Sequence, residues 1–195
     1  MSCLTYERQL PLLEGREAAQ ILLPREEPWG LVTWSMGTWA GALLSKVWGL
    51  RAPRFWLALS PFLDLVGPGC RVSVEAHRVL LLSLKNEPLR TLEFFGGHNG
   101  AKVPWFSAER VLELREEFER GLELLGRPGP RPVPSPGARV IAALGREDRL
   151  VSPAQAEAFA ALHSGASVLL LQGLGHGLFY EEPAQVAALL AELGC

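Results

Sequence analysis

The stretch from Gly30 to Gly41 constrains the fold more than any other part of the sequence. An apolar run of strand length, Leu31 to Trp34, leads directly into Ser35, and a helix is predicted from Thr38 to about Trp48. A serine at such a turn adopts a strained backbone conformation that lifts its hydroxyl out of the sheet, and Gly37 gives it room. The pattern predicts a nucleophile elbow.

The elbow departs from the usual G-x-S-x-G pattern, because Thr33 stands at the first glycine position. A serine between a strand and a helix is also often only a helix N-cap. The sequence around Ser35 therefore supports a catalytic interpretation and leaves a structural one open.

Composition narrows the class of protein. The chain has 195 residues, of which 48% are hydrophobic and 21% charged, which is typical of one globular domain. Its net charge of −2 and the lack of a Lys/Arg stripe argue against nucleic-acid binding. Without a signal-peptide pattern or a membrane-spanning run, we expect a cytoplasmic protein. We also expect it to be a monomer.

The cysteines and the other ligand-forming residues suggest no bound group. The three cysteines are far apart and lack metal-ligand spacing; they are Cys3, Cys70 and Cys195. We therefore expect reduced thiols, no disulfide, no metal and no cofactor.

Strand and helix patterns alternate on both sides of a central region. After the elbow helix, Arg54 to Leu59 forms a second predicted strand that ends at Ser60-Pro61. This strand–helix–strand spacing predicts a parallel sheet. Before the elbow, Ser2 to Tyr6 could be a short strand and Glu14 to Leu23 a helix.

The alternation resumes near residue 138. Two more strands are predicted, Arg139 to Leu144 and Ser167 to Leu171. Ser152-Pro153 is typical of a helix start, and Glu182 to Leu193 predicts a closing helix. The fold class is therefore α/β with a mostly parallel sheet.

Residues 62–137 interrupt this alternation. Helices are predicted near Val74 to Ser83 and Ala108 to Leu125, followed by a loop rich in proline and glycine from Gly126 to Gly137. We interpret the region as a helical lid inserted into a core made of residues 1–61 and 138–195. A poorly ordered connector is the alternative.

Three residues suited to nucleophilic catalysis follow predicted strands. They are Ser35, Asp148 and His176. The carboxyl ends of parallel strands share one edge of the sheet, so these side chains are expected to meet there. Neutral imidazole can take the serine proton, and a carboxylate can hold the imidazole in place.

The alternatives for these residues are ordinary ones. Asp148 could be a turn residue, and Asp64, after the second strand, is the next candidate for the acid. The glycines flanking His176 favour an active-site loop. The remaining histidines are expected at the surface or in the lid; they are His77, His98 and His163.

Three segments resemble the α/β-hydrolase family: Leu31 to Gly37, Leu144 to Pro153, and Gly175 to Phe179 with Glu182-Pro183. Within that family, the Trp-Ser-Met-Gly elbow and the helix end at Gly121 to Leu125 are similar to the pimeloyl-acyl-carrier-protein methyl ester carboxylesterases of biotin synthesis. The resemblance covers about residue 30 to the C-terminus.

The resemblance implies a serine esterase. Ser35 would attack the ester carbonyl, His176 would act as base and then acid, and Asp148 would orient His176. The Met36 N–H would be one oxyanion donor. The family takes its second donor from an early His-Gly loop, and no such loop precedes Ser35. We therefore expect an N-terminally shortened fold in which either activity is impaired or another backbone group supplies the second donor.

The resemblance also implies a substrate and a partner. A pimeloyl methyl ester on an acidic acyl-carrier protein would contact Trp34 and basic residues of the lid, namely Arg71, Arg78, Lys85 and Arg90, although solvated lid surface explains these basic residues better. The alternatives are another ester or acyl hydrolase of the family, or an inactive remnant that serves as an interaction module.

Overall fold

The computed structural model describes residues 29–47, 53–98, 107–132 and 137–194. The predicted strand at Ser2 to Tyr6, the predicted helix at Glu14 to Leu23 and the predicted helix end at Trp48 lie outside these ranges. Cys3 and Cys195 do as well, while Cys70 is a free, half-buried thiol.

A four-stranded parallel sheet forms the centre of the described structure. Its strands are β1 (Gly30–Trp34), β2 (Phe55–Leu59), β3 (Arg139–Gly145) and β4 (Ser167–Leu171). They lie side by side in chain order, and each neighbouring pair is parallel. The α/β fold class predicted from the sequence is thus confirmed, and the carboxyl ends of all four strands share one edge.

Alternate residues of β2 and β3 point to opposite faces of the sheet, as the period of two requires. On one face, Trp56 and Val140 pack with Phe159 in a buried cluster. On the other face, Leu57 and Ile141 pack with residues of the C-terminal helix. Both central strands are therefore covered on both sides, as their continuous apolar sequences predict.

The helix after the elbow is α1 (Gly37–Val47), one residue longer at its start than predicted. A Cβ added at Gly41 would lie 3.1 Å from a side-chain methyl group of Leu31 and 3.1 Å from that of Thr33. The absence of a side chain thus allows α1 to pack closely on β1.

Among the described residues between β2 and β3, the region interpreted as a lid, there are four helices. They are α2 (Val74–Asn86), α3 (Pro88–His98), α4 (Ala108–Glu113) and α5 (Arg115–Leu125). Ser73 and Ser107 cap α2 and α4 by accepting backbone N–H bonds.

Two features of this region differ from the sequence prediction. Helix α3 was not predicted, because the weak helix formers Gly96 and Gly97 obscure its periodicity. The single helix predicted from Ala108 to Leu125 is divided at Leu114, whose backbone (φ −93°, ψ 11°) caps α4 and starts α5.

Three helices follow the lid: α6 (Pro153–Ala160), α7 (Leu178–Glu181) and α8 (Pro183–Glu192). Ser152 and Gln155 form a complete capping box at the start of α6, where the sequence predicted a helix start. The single-turn helix α7 was not predicted, since four residues are too few to show a period.

Two histidines are more buried than the sequence suggested. His163 was expected at the surface or in the lid, and this is wrong: it is 4% exposed and packs against Trp56 and Phe159. His77 belongs to α2 of the lid but is also buried. The side chain of His98 is not described. Within the described ranges, no helix combines the length and apolarity needed to cross a bilayer.

Candidate active site

Ser35 occupies the sharp turn between β1 and α1. Its φ of 52° lies in the left-handed region, which non-glycine residues rarely adopt and which costs about 1–3 kcal/mol. The neighbouring strand supports the turn, because the Ser35 N–H donates to the Leu59 carbonyl at 2.9 Å. Helix α1 begins at once, with the Thr38 N–H donating to the Ser35 carbonyl.

Thr33, the departure from the glycine pattern, fits the elbow through its hydroxyl. The Trp56 indole N–H donates to Thr33 Oγ1 at 2.8 Å, and the hydroxyls of Thr33 and Thr38 lie 3.4 Å apart. A Cβ added at Gly37 would lie 3.9 Å from the Thr33 Cβ, an ordinary contact. The threonine therefore fills a hydrogen-bonding position without crowding the turn.

Ser35, His176 and Asp148 form a continuous chain of hydrogen bonds. His176 Nε2 lies 2.9 Å from Ser35 Oγ, and His176 Nδ1 lies 2.9 Å from Asp148 Oδ2. Because a carboxylate only accepts, Nδ1 carries the proton of the neutral ring, which leaves Nε2 to accept from the serine hydroxyl. In this arrangement the serine proton can pass to the imidazole.

Asp148 is fully buried and remains ionised. Burial alone would raise the pKa of Asp148, but the hydrogen bond and charge of His176 and the N–H groups of Val151 and Leu150 lower it below its ordinary value. These N–H groups donate to Oδ1 at 2.9 and 2.8 Å, so both carboxylate oxygens are held. Asp148 therefore stabilises its own turn through Oδ1 and contacts His176 through Oδ2.

The loops that carry Asp148 and His176 touch because β3 ends in a glycine. A Cβ at Gly145 would lie 2.1 Å from the Leu174 carbonyl oxygen, so a side chain there would separate the loops. In the structure, the Glu147 N–H donates to that same carbonyl at 3.0 Å.

Glu181 holds the His176 loop and was not identified from the sequence. Its carboxylate accepts from the Gly175 N–H at 2.8 Å and from the Gly177 N–H at 3.2 Å, on either side of His176. The only sequence signal was an acidic residue shortly after the Gly-His-Gly loop, which had no assigned role.

Trp34 also holds this loop. Its indole N–H donates to the His176 carbonyl at 2.8 Å, and its ring contacts those of His176 and Tyr180. The sequence predicted Trp34 as a substrate contact. The contacts within the chain hold Trp34 against the His176 loop, and its contact with substrate stays a prediction.

Asp64, the alternative acid, lies in a separate network. It accepts from Arg131 at 2.8 Å and from the Gly129 N–H at 2.9 Å. Partial burial raises its pKa, but the hydrogen bonds of Arg131 and Gly129 outweigh that effect and lower it. Asp64 thus fastens the loop returning from the lid, and Asp148 is the carboxylate that meets His176.

Met36 follows the nucleophile and faces the lid. Within the described ranges, we find no acceptor for its backbone N–H, which leaves that group available to an oxyanion. Its side chain is 42% exposed and contributes to a cavity of about 230 Å³ beneath α2, α3 and α5.

The three arginines predicted to bind substrate lie on the outside of the lid. Arg71 and Arg78 are exposed, and Arg90 pairs with Glu87 at 3.0 Å. None of the three lines the cavity beside Met36. Across the described part of the chain, no group of three His, Cys, Asp or Glu side chains is placed to hold a metal ion.

Comparison with solved structures supports the fold. An esterase from Exiguobacterium antarcticum is 15% identical (TM-score 0.66), with 85% of this chain and 66% of that chain covered. A hydrolase from Oleispira antarctica is 14% identical (TM-score 0.65), with 84% of this chain and 63% of that chain covered. An enol-lactonase from Burkholderia xenovorans is 15% identical (TM-score 0.61), with 83% of this chain and 64% of that chain covered.

The chain therefore spans just under two thirds of the length of these proteins. No curated protein sequence matches it. The profile of the alpha/beta hydrolase family, however, matches residues 6–189. Since this match takes in almost the whole chain, the protein belongs to the alpha/beta hydrolase family.

Proposed function

We propose that this protein is a serine hydrolase of carboxylic esters. The observation that carries the proposal is the hydrogen-bond chain from Ser35 Oγ through His176 to Asp148, with 2.9 Å at each step. A serine hydroxyl is a weak nucleophile on its own, and a base at hydrogen-bond distance activates it.

The geometry supports a two-step acyl transfer. Ser35 Oγ attacks the ester carbonyl while His176 Nε2 takes its proton, and the Met36 N–H donates to the oxyanion that forms. The imidazolium then gives the proton to the departing alkoxide, leaving an acyl-serine and an alcohol. A water molecule attacks the acyl-serine in the same way and releases the carboxylic acid.

Asp148 stabilises the imidazolium formed in both steps. Because its lowered pKa keeps it ionised, the negative charge is in place before the proton moves. Glu181 and Trp34 hold the backbone of His176, so the ring stays aligned with Ser35 through the cycle.

The oxyanion site determines how fast this chemistry runs. Met36 is the one oxyanion donor that we identify within the described ranges. A site that loses one of two donors is slowed about 10²–10³-fold.

A fluorophosphonate probe tests the proposal directly, because it labels only an activated serine. We expect labelling of the wild-type chain and none of Ser35→Ala, with hydrolysis of p-nitrophenyl acetate lost in parallel. Ser107→Ala is the matched control, since Ser107 is an exposed serine that caps the lid helix α4 and is not part of the triad. A wild-type chain that is folded but not labelled would instead favour the inactive interaction module.

Within the esterase class, we propose carrier-bound pimeloyl methyl ester as the substrate, on the resemblance of the elbow segment and the Gly121–Leu125 segment. The exposed Arg71 and Arg78 suit an acidic carrier, whereas Arg90 is already paired with Glu87. Arg78→Glu with Arg90→Glu should raise KM for the carrier-bound ester and leave p-nitrophenyl acetate unaffected. Equal loss on both substrates would contradict carrier docking.

A genetic test addresses the same substrate. The gene should restore growth without biotin to a strain that lacks its pimeloyl-carrier methyl esterase, and the Ser35→Ala gene should not. Failure of the wild-type gene, with the protein expressed and reactive to the probe, would favour another ester substrate.

A further inference from the structure

A cavity of about 230 Å³ lies beside the elbow, between the lid and the core. Met36 forms its wall on the core side, and α2, α3 and α5 form the rest. Met36 directly follows Ser35 in the chain, so the residue next to the nucleophile lines the cavity, while neither Ser35 nor His176 is among the described lining residues.

The wall of this cavity is almost entirely apolar. Leu84 comes from α2, Phe95 from α3, and Phe118 and Leu122 from α5. No Lys or Arg is among the described lining residues, and Glu117 is the charged one. Such a wall favours hydrocarbon and disfavours a charged group.

Gly121 leaves this cavity open on the side of α5. It lines the cavity on the helix face that also carries Phe118 and Leu125, and a Cβ added there would meet no atom within 4 Å. Glycine in a helix interior is less favourable than alanine. A side chain at this position would fit the backbone and occupy the space.

We propose that this cavity binds an unbranched apolar stretch of the ester's acyl group, and that Gly121 sets how long that stretch can be. The proposal rests on the esterase function proposed above and names its substrate class. The carbonyl carbon lies at Ser35 with its oxygen toward the Met36 N–H, and the methylenes extend along Met36 into the space before Gly121.

Burial of each methylene contributes about fourfold to kcat/KM. We therefore expect kcat/KM to rise along the series p-nitrophenyl acetate, butyrate, hexanoate and octanoate. In Gly121→Leu, the octanoate-to-acetate ratio of kcat/KM should fall about tenfold or more, because the new side chain displaces at least two methylenes. Gly121→Ala should show the same change to a smaller extent.

Gly97→Leu is the matched control. Gly97 is also a helical glycine whose added Cβ would meet nothing within 4 Å, but it is exposed on α3 and does not line the cavity. Both leucine variants should unfold at or above the wild-type temperature, since leucine favours helix. An unchanged chain-length ratio in a folded Gly121→Leu protein would overturn the proposal, as would an equal fall in Gly97→Leu.

Binding of octanoate to Ser35→Ala, measured by calorimetry, separates the cavity from the chemistry. Adding Gly121→Leu should weaken binding about tenfold, whereas adding Gly97→Leu should not. If the wild-type protein hydrolyses no ester but octanoate binding depends on Gly121, the esterase function fails and the cavity assignment stands. If esters are hydrolysed and neither measurement responds to Gly121, the cavity assignment fails alone.

Discussion

The catalytic edge of the sheet and the helical lid are held together by different kinds of interaction. At the edge, Asp148 and His176 are buried, and the hydrogen bonds of their side chains measure 2.8–2.9 Å. In the lid, most of the ion pairs are exposed, and most join residues three or four apart, such as Arg110 and Glu113.

Buried hydrogen bonds to charged groups contribute about 1.5–3 kcal/mol each, whereas exposed ion pairs contribute about 0–1 kcal/mol. Reacting groups must keep their alignment to within a fraction of an ångström, while an apolar cavity only has to exclude water. Under the proposed function, the edge carries the chemistry and the lid selects the acyl group. Changes in each region should therefore have separable effects.

The largest effect is expected at Asp148. Asp148→Asn should lower kcat about 10⁴-fold, because the neutral amide neither stabilises the imidazolium nor fixes the tautomer of His176. Steady-state hydrolysis of p-nitrophenyl acetate, with circular dichroism to confirm folding, measures this.

Asp64→Asn is the control for that change. It removes the bond with the partly exposed Arg131, which should cost about 1 kcal/mol of stability or less and leave kcat nearly unchanged. Equal losses in the two variants would mean that the Asp148 effect is one of folding.

Glu181 should come next in size. Glu181→Ala removes two charged hydrogen bonds beside His176, and a loss of about 1.5–3 kcal/mol in the alignment of the ring corresponds to about 10–100-fold in kcat. KM should stay unchanged, because Glu181 does not line the cavity.

Glu181→Gln should recover part of the activity, since its amide oxygen can still accept one N–H bond. Glu182→Ala changes the neighbouring exposed glutamate and should have no effect. A rise in KM without a fall in kcat would show that Glu181 acts on substrate binding.

The lid offers a smaller, contrasting effect at His77. Its ring lies 2.7 Å from the Leu122 carbonyl and is packed against Gly126, so it ties α2 to α5 from a buried position. His77→Phe should lower the free energy of unfolding by about 1–3 kcal/mol, measured in urea. It should raise KM for the octanoate ester more than for the acetate ester.

Lys85→Met breaks the exposed pair with Glu123, which joins the same two helices at 3.6 Å, and should cost no more than about 1 kcal/mol. A fall in kcat for both esters in His77→Phe, as large as that in Glu181→Ala, would break the proposed separation of edge and lid.

The smallest expected effect is on the pH dependence of stability, through the buried His163. Both ring nitrogens of His163 are buried without a partner among the described residues, and burial lowers its pKa. The neutral ring is favoured in the folded state, so stability is full above the unfolded pKa of about 6.5 and is lost as the pH falls below it. The loss is at most about 1.4 kcal/mol per pH unit.

His163→Leu should remove this acid sensitivity. Urea unfolding at pH 7.5 and pH 5.0 should show a smaller difference in the variant than in the wild-type protein. The same pH difference in both proteins would assign the acid sensitivity to other groups.

The sequence predicted the elements whose signals are local. The strands and most helices follow from periodicity, and the start of α6 follows from Ser152 as N-cap and Pro153 in the first turn. Ser35, Asp148 and His176 were identified because each follows a strand, and parallel strands end at one edge. The roles of the carrier protein and of Arg71, Arg78 and Arg90 stay predictions.

Contacts between residues that are far apart in the sequence were decided by the tertiary structure alone. Asp64 and Asp148 both follow strands, and only the packing of the Leu174 carbonyl against Gly145 brings Asp148 to His176. The burial of His163, the bonds from Glu181 and the cavity before Gly121 have no periodic signal. Ser35 and His176 are 141 positions apart, and the sheet that joins them fixes their separation in space.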